Sequence, residues 1–323
     1  MTQQIFAYIT HKNGTADDSA FELIVAAKKI DSSASVTAVV CGEGADLDTV
    51  CKQVAAVYPE VWKVSNPALA YPNAEIVRGV LATLLPAGAI TLVPHDTFGM
   101  DLSPGLSIKL NAAFVSDVVG IEGIDNGNLK TVRQEFGGQV STHVLCDISA
   151  GAVLNIRSGS FLSDDSKASG SVVDKSGQAG GCVSRRRFLQ VVAAEVGDVD
   201  ITKSDVLVSV GRGIEEQENI SIAQELADAI GAVVSCSRPI VDAKWLEKSR
   251  QVGTSGKTVK PKVYIALGIS GSFQHLGGLK GNPFIVAINK NSKAPIFQVA
   301  DIGVVTDLLE FVPELTQKIN EMK

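Results

Sequence analysis

A chain of 323 residues, 45% apolar but only 5% aromatic, exceeds what one hydrophobic core fills. Two domains are expected, with interiors of Val, Ile, Leu and Ala as suits helix-covered parallel sheets. A net charge of −6 argues against a nucleic-acid partner, and the lack of any apolar run of about 18 residues argues against membrane insertion. The start MTQQIFAYITHKNG has neither a secretory nor an Arg-rich leader. Five cysteines at 41, 51, 146, 182 and 236 make neither a disulfide framework nor a metal pattern, so the expected setting is a reducing cytoplasm, with the thiols as small core residues.

In chain order, residues 5–9 read as a strand and 18–30 as a helix with Phe21, Leu23, Ile24 and Ala27 inward. A strand at 35–40 ends at Gly42, and a helix at 46–57 takes Asp46 as its cap. A short strand at 61–64, a helix at 73–85 stopped by Pro86, and a strand at 89–93 stopped by Pro94 complete a βαβα rhythm. His95-Asp96-Thr97 follows at the carboxyl edge, where open α/β sheets place ligands. His95 and Asp96 could act as acid and base; the preferred reading is that His95 and Thr97 cap a helix beginning near Asp101.

Residues 120–185 change character. Short alternating runs separated by Asp125-Asn126-Gly127-Asn128 and Gly137-Gly138 predict antiparallel strands or hairpins. Residues 163–181 read as an exposed loop, and Arg185-Arg186-Arg187 as a solvated strand end. The domain division follows: 1–195, a linker at 196–204, and 205–323. Beyond it, strands at 206–210, 233–236, 263–267, 284–288 and 302–305 alternate with a helix at 219–230, which Gly231 terminates, and one from Thr306. The strand ends deliver Arg212, Arg238, Ser270 and Asn289 to one edge, as a cofactor crevice needs.

Two glycine-rich loops stand beside that edge, 251–257 (QVGTSGK) and 268–272 (GISGS). Strand, glycine turn and helix start favour an anion, although the G-x-G-x-x-G fingerprint is absent. Lys244, Lys248, Arg250, Lys257, Lys260 and Lys262 are opposed locally only by Glu247. The residues alone leave two readings open: a nucleotide or phosphate-bearing cofactor, or an ordinary α/β turn with a solvated basic face. No Ser/His/Asp set, cysteine nucleophile or metal cluster is legible, so no catalytic or metal-binding residue is assigned. An NAD(P)-dependent dehydrogenase would need the missing fingerprint.

The same stretches carry a family resemblance. SRPIVDAKW (237–245), QVGTSGKTV (251–259), YIALGISGSFQHLGG (264–278), VAINKNSKAPIFQVADIGVV (286–305) and DLLEFVPELTQKI (307–319) resemble the alpha subunit of electron transfer flavoprotein. VGRGI (210–214) and HDTFGMDLSPGLSIKLNAAFVSDV (95–118) fit as well, so the resemblance spans the chain. It implies an α/β protein of two Rossmann-like, doubly wound domains with mainly parallel sheets, the first carrying an added antiparallel portion. It further implies a scaffold at 1–195 that meets a beta subunit and a C-terminal domain at 205–323 that binds FAD. The protein would be a bacterial, cytoplasmic electron carrier without substrate turnover of its own. It would take electrons from flavoprotein dehydrogenases and pass them, through an anionic semiquinone, to a quinone oxidoreductase or another acceptor. The beta subunit would hold AMP or, in electron-bifurcating members, a second FAD.

By the same resemblance His275 lies near the flavin O2, and Arg238 stacks over the isoalloxazine. Ser255, where most of the family has threonine, hydrogen-bonds N5, and Thr254 replaces the usual glutamine. Val252, Gly253, Thr254 and Ser255 line the cofactor together with Ser270, Gly271, Ser272, Phe273, Gln274 and His275. Asn289, Asp307 and Leu308 hold its ribityl, ribose or adenine parts, with Ser237 and Arg212 on neighbouring portions. A nucleotide-binding regulatory module would explain the basic loops but not the convergence of Arg238, Ser255, Ser270 and His275.

Overall fold

The computed structural model describes residues 4–136, 140–161, 167–178, 184–190 and 199–323. The chain forms two compact units, 1–190 and 191–323. Of the expected linker only 199–204 is described, where a 3-10 turn at Ile201–Lys203 buries Ile201.

The first unit runs β1 (Ile5–Ile9), β2 (His11–Lys12), β3 (Thr15–Ala16), α1 (Ser19–Ile30), β4 (Val36–Gly42), α2 (Gly44–Ala55), β5 (Glu60–Ser65), α3 (Ala74–Leu84), β6 (Ile90–Pro94) and α4 (Thr97–Leu110). It continues with β7 (Ala113–Asp125), β8 (Asn128–Glu135), β9 (Val140–Asp147), β10 (Ala152–Ile156) and β11 (Ser171–Asp174). Nine strands form one sheet in the order β11-β5-β4-β1-β6-β10-β7-β8-β9. Every pairing from β11 to β7 is parallel, and β8 and β9 add the antiparallel portion. Strands β1, β6 and β10 are buried along their whole length, as strands covered on both faces must be. Ile5, Ala7 and Ile9 enter the core under α1 and α2, while Phe6 and Tyr8 enter the one under α3 and α4.

Several expectations are corrected in detail. On α1, Phe21 is only half-buried, and Ala20, Ala26 and Ile30 join Leu23, Ile24 and Ala27 inside. Helix α2 begins at Gly44, so Asp46 lies in its first turn, where it favours the helix dipole without capping. Helix α4 begins at Thr97, not near Asp101, and its cap is Asp96, whose Oδ1 accepts the Gly99 N–H at 2.6 Å. Asp96→Ala should therefore lower the stability of the first unit by about 1–2 kcal/mol, read as an earlier midpoint in urea unfolding; an unmoved midpoint would show that the cap contributes nothing.

The antiparallel reading of 120–185 holds for β7, β8 and β9; β7 and β8 are joined at Asn126-Gly127 with φ values of 49° and 79°, the left-handed pair a two-residue hairpin requires. It fails for β10 and β11, which return to the parallel sheet beside β6 and β5. Thus β11 lies within the expected loop at 163–181, of which 163–166 and 179–181, like Gly137-Gly138, fall outside the described residues. Arg186 is not at a strand end: it pairs with Asp101, and Glu75 accepts the Arg185 N–H at 2.9 Å. Cys41, Cys51, Cys146 and Cys236 are buried thiols outside any disulfide; Cys182 lies outside the described residues.

The second unit runs β12 (Val206–Val210), α5 (Ile220–Ile230), β13 (Val233–Cys236), α6 (Arg238–Asp242), β14 (Val263–Leu267), α7 (Phe273–Leu276), β15 (Phe284–Ile288), β16 (Ile302–Val304) and α8 (Leu308–Glu321). Its five strands are all parallel, in the order β13-β12-β14-β15-β16. Val208, Val210, Leu267 and Ile288 pack under α5 and α8. Leu207, Tyr264, Ala266 and Ala287 face the other way, against Val252, Val259, Ile269 and Ile296 from the loops. Helix α5 ends at Gly231 with φ 68°, and α8 starts two residues later than expected, at Leu308. Both units are thus Rossmann-like α/β folds. Among the described residues, no helix is long and apolar enough to cross a membrane.

Candidate functional site

From β12 the chain steps outward to β13, then returns to place β14 on the other side. By the general rule for such sheets, that reversal marks the carboxyl edge between β12 and β14 as the crevice position where a ligand is expected. Two backbone bonds close the floor of the crevice: Gly211 N–H to the Leu267 carbonyl at 2.8 Å, and Gly213 N–H to the Gly268 carbonyl at 3.0 Å. A Cβ at Gly213 would stand 2.7 Å from Gly268 Cα, so these loops meet backbone to backbone.

The two glycine-rich loops also meet. Val252 N–H donates to the Cys236 carbonyl at 2.9 Å, tying the loop at 251–257 to the end of β13. Thr254 N–H donates to the Gln274 carbonyl at 2.8 Å, and Val259 N–H to the Gly278 carbonyl at 2.8 Å. Lys257 N–H closes the loop on the Gln251 carbonyl at 2.6 Å, while Gln251 Nε2 donates to Ser255 Oγ at 2.9 Å. Gly271 has φ 82°, and a Cβ there would lie 2.4 Å from Ile296 N. Packing this close requires glycine, because any Cβ would enter the backbone of the neighbouring segment.

The expected site residues fall on this rim in two groups. Arg212, Arg238, Thr254, Ser255, Ser270, Ser272, Phe273, Gln274 and Asp307 are exposed; Ser237, Val252, Gly253, Gly271, His275 and Leu308 are buried, and Asn289 is half-buried. Arg238 lies 3.4 Å from Asp242 one turn on, with both side chains mostly exposed. Such a pair holds the guanidinium only weakly, leaving it free to engage a ligand. Asn289 Nδ2 donates to the Ile269 carbonyl at 3.0 Å, and its Oδ1 accepts the Asn291 N–H at 2.9 Å, so it clamps the loop after β15 to the loop after β14. Asp307 Oδ1 caps α8 by accepting the Leu309 N–H at 2.9 Å. The Leu308 side chain lies in the core, which leaves its backbone as what it can offer a ligand.

His275 is buried here, 5% exposed. Its Nε2 is 2.7 Å from the Tyr264 hydroxyl, and its Nδ1 is buried without a hydrogen-bond partner. Burial pushes its pKa down to about 4, against a small opposing pull from the Val252 carbonyl, so the imidazole is neutral at physiological pH. Gln251 and Tyr264 were not among the expected site residues. The signal for Tyr264 was a lone phenol inside a five-residue buried strand, where a partner is needed.

The local basic excess is smaller than the sequence implied. Lys262 precedes β14, at the opposite end of the sheet from the crevice, and is bonded to Asp205 at 2.8 Å. Arg250 Nη1 donates to the Val234 carbonyl at 2.7 Å. In the first unit, His95 and Asp96 do not form an acid–base pair. Asp96 caps α4, whereas His95 Nε2 lies 3.6 Å from Asp117, which Arg157 holds through bonds of 2.7 and 2.6 Å. Burial raises the Asp117 pKa, but Arg157 outweighs it and keeps the carboxylate below its usual range.

These residues fit a flavin nucleotide. The orphaned His275 Nδ1 supplies a polar atom that needs a partner, the interlocked glycines a bare backbone surface, and Arg238 a planar cation for an aromatic ring.

Comparison with known proteins agrees. The family model described as "Electron transfer flavoprotein domain" matches residues 5–177, and that described as "Electron transfer flavoprotein FAD-binding domain" matches residues 200–280. The electron transfer flavoprotein subunit alpha of Thermoanaerobacterium thermosaccharolyticum is 32% identical, covering 99% of this chain and 99% of that one. Its mitochondrial counterpart from Arabidopsis thaliana is 32% identical, over 97% of this chain and 88% of its own. The lactate dehydrogenase (NAD(+),ferredoxin) subunit LctC of Acetobacterium woodii is 29% identical, over 98% and 76%. With the fold, the crevice and both matches in agreement, the chain belongs to the electron transfer flavoprotein family, as an alpha subunit.

Proposed function

We propose that this alpha subunit holds FAD at the β12–β14 crevice and carries electrons between redox proteins, in a cytoplasmic heterodimer with a beta subunit that contains AMP. The single observation that supports the site most strongly is the buried, unpartnered Nδ1 of His275 beside two interlocked glycine-rich loops. Bound flavin would supply reversible one- and two-electron chemistry. The chain's residues would supply the rest. Backbone at Val252, Gly253, Ser270 and Gly271 would admit the cofactor closely, and Arg238 would cover its ring. Ser255, already accepting from Gln251, would still have its hydroxyl proton to donate to a ring nitrogen. Asn289, Asp307, the Leu308 backbone, Ser237 and Arg212 would hold the more polar portions. Thr254, Ser272, Phe273 and Gln274 would form the outer rim. The scaffold role of residues 1–195, opposite a beta subunit, belongs to the same proposal. So do the flavoprotein dehydrogenase donors and a quinone-linked or other acceptor.

A second reading has one observation behind it. The LctC relative is named as a subunit of an NAD(+)- and ferredoxin-linked dehydrogenase, and an electron-bifurcating complex would carry a second FAD in place of AMP. Co-expression with the beta subunit, followed by absorbance and cofactor extraction, separates the cases. One FAD and one AMP per heterodimer is the expected result, two FAD moves the assignment to bifurcation, and a colourless heterodimer overturns the flavin reading.

A further inference from the structure

Tyr264 is the second residue of β14, fully buried, on the sheet face that carries the glycine-rich loops. Ser209 and Ser235 share that face: Ser209 pairs in register with Ser235 and with Ala266, which stands two residues from Tyr264. Both hydroxyls flank the phenol and temper the upward push of burial on its pKa without reaching hydrogen-bond geometry. The phenol oxygen is 2.7 Å from His275 Nε2. His275 Nδ1, on the other side of the ring, is buried without a hydrogen-bond partner.

These facts decide where the imidazole proton sits. A neutral imidazole carries one proton, and a phenol can donate or accept. With the proton on Nε2, both the buried phenol O–H and Nδ1 would be left without a partner; with it on Nδ1, the phenol donates to Nε2 and only the Nδ1 N–H is left over for a ligand. We infer that Tyr264 is a positioning residue: its O–H donates to His275 Nε2, locks the ring in the neutral Nδ1–H tautomer, and so presents a buried N–H donor to an acceptor atom of the ligand. The ligand's identity rests on the flavin reading above; the tautomer does not.

The test is long-range ¹H–¹⁵N correlation on the full chain, labelled at histidine and purified with its partner subunit, with flavin stripped and with flavin restored. The chain has four histidines, so His275→Gln assigns the signal. The wild-type ring should show a protonated Nδ1 and a pyridine-like Nε2. Tyr264→Phe should convert this to an averaged or Nε2–H pattern and weaken flavin binding about 5- to 10-fold, as loss of one oriented neutral hydrogen bond implies. A wild-type ring protonated at Nε2 overturns the proposal, as does an unaltered Nδ1–H pattern in Tyr264→Phe. Should that variant not fold, the wild-type spectrum alone decides. Failure of wild type to bind flavin would remove the functional reading and leave the tautomer assignment standing.

Discussion

Gly271→Ala should destabilise the second unit by about 3 kcal/mol or more and abolish flavin retention, an effect far beyond what one methyl group usually does. Two terms add. The backbone at Gly271 has φ 82°, which costs an L-residue about 1–2 kcal/mol. The new Cβ would also stand 2.4 Å from Ile296 N and 2.6 Å from Ile296 Cα, backbone atoms that cannot turn aside as a side chain end can. Relief requires the loop after β14 to part from the segment at Pro295–Gln298, and the Ile296 N–H to Ser270 carbonyl bond of 3.0 Å is lost with it. Gly231→Ala is the control: its φ is 68°, but nothing lies within 4 Å of the added carbon, so it bears only the backbone term, about 1 kcal/mol. Thermal unfolding of both variants, with flavin retention after desalting, decides the matter. Equal losses would show that φ alone matters and that the close approach at Gly271 is unimportant.

The contrast between those glycines shows what a sequence can and cannot display. Gly231 was legible as a helix terminator because that role depends on local order. The constraint on Gly271 comes from Ile296, 25 positions away, through a loop whose path is set by the sheet. Strands β12, β13, β14 and β15 were readable to the residue because each is a short apolar run, buried on both faces and bounded by glycine or polar residues. Strand β10 is just as apolar but was read as one more hairpin strand. Its neighbours β6 and β7 are not adjacent to it in sequence, and periodicity carries no information about partners. The cap of α4 was misplaced because His95, Asp96 and Thr97 can all cap, and only the turn geometry selects Asp96. Lys262 looked like part of an anion site because sequence proximity does not distinguish the two ends of a strand. The resemblance supplied His275 but not the phenol behind it, since the two are brought together by the fold of the loop between them.

His275 should also make the flavin-free protein sensitive to acid. Its folded pKa lies at about 4, lowered by burial from the ordinary 6.5. Between those values the unfolded chain binds a proton that the folded chain does not, so stability rises with pH across the window. Its contribution is complete above about pH 6.5 and drains away as pH falls towards 4, amounting to roughly 3 kcal/mol at about 1.4 kcal/mol per pH unit. The Val252 carbonyl is the only influence opposing the shift, and Tyr264, itself held neutral by burial, brings no charge that could steady an imidazolium. His275→Gln removes the titrating group while keeping an amide of similar reach. Its unfolding free energy should fall with acidification only as far as the carboxylates common to both proteins dictate. The measurement is urea unfolding of both proteins between pH 7 and pH 4 without flavin, with the wild type losing roughly 3 kcal/mol more than the variant. Parallel curves would mean that His275 accepts a proton inside the fold, which would in turn require the loop at 251–257 to open and admit water around the ring.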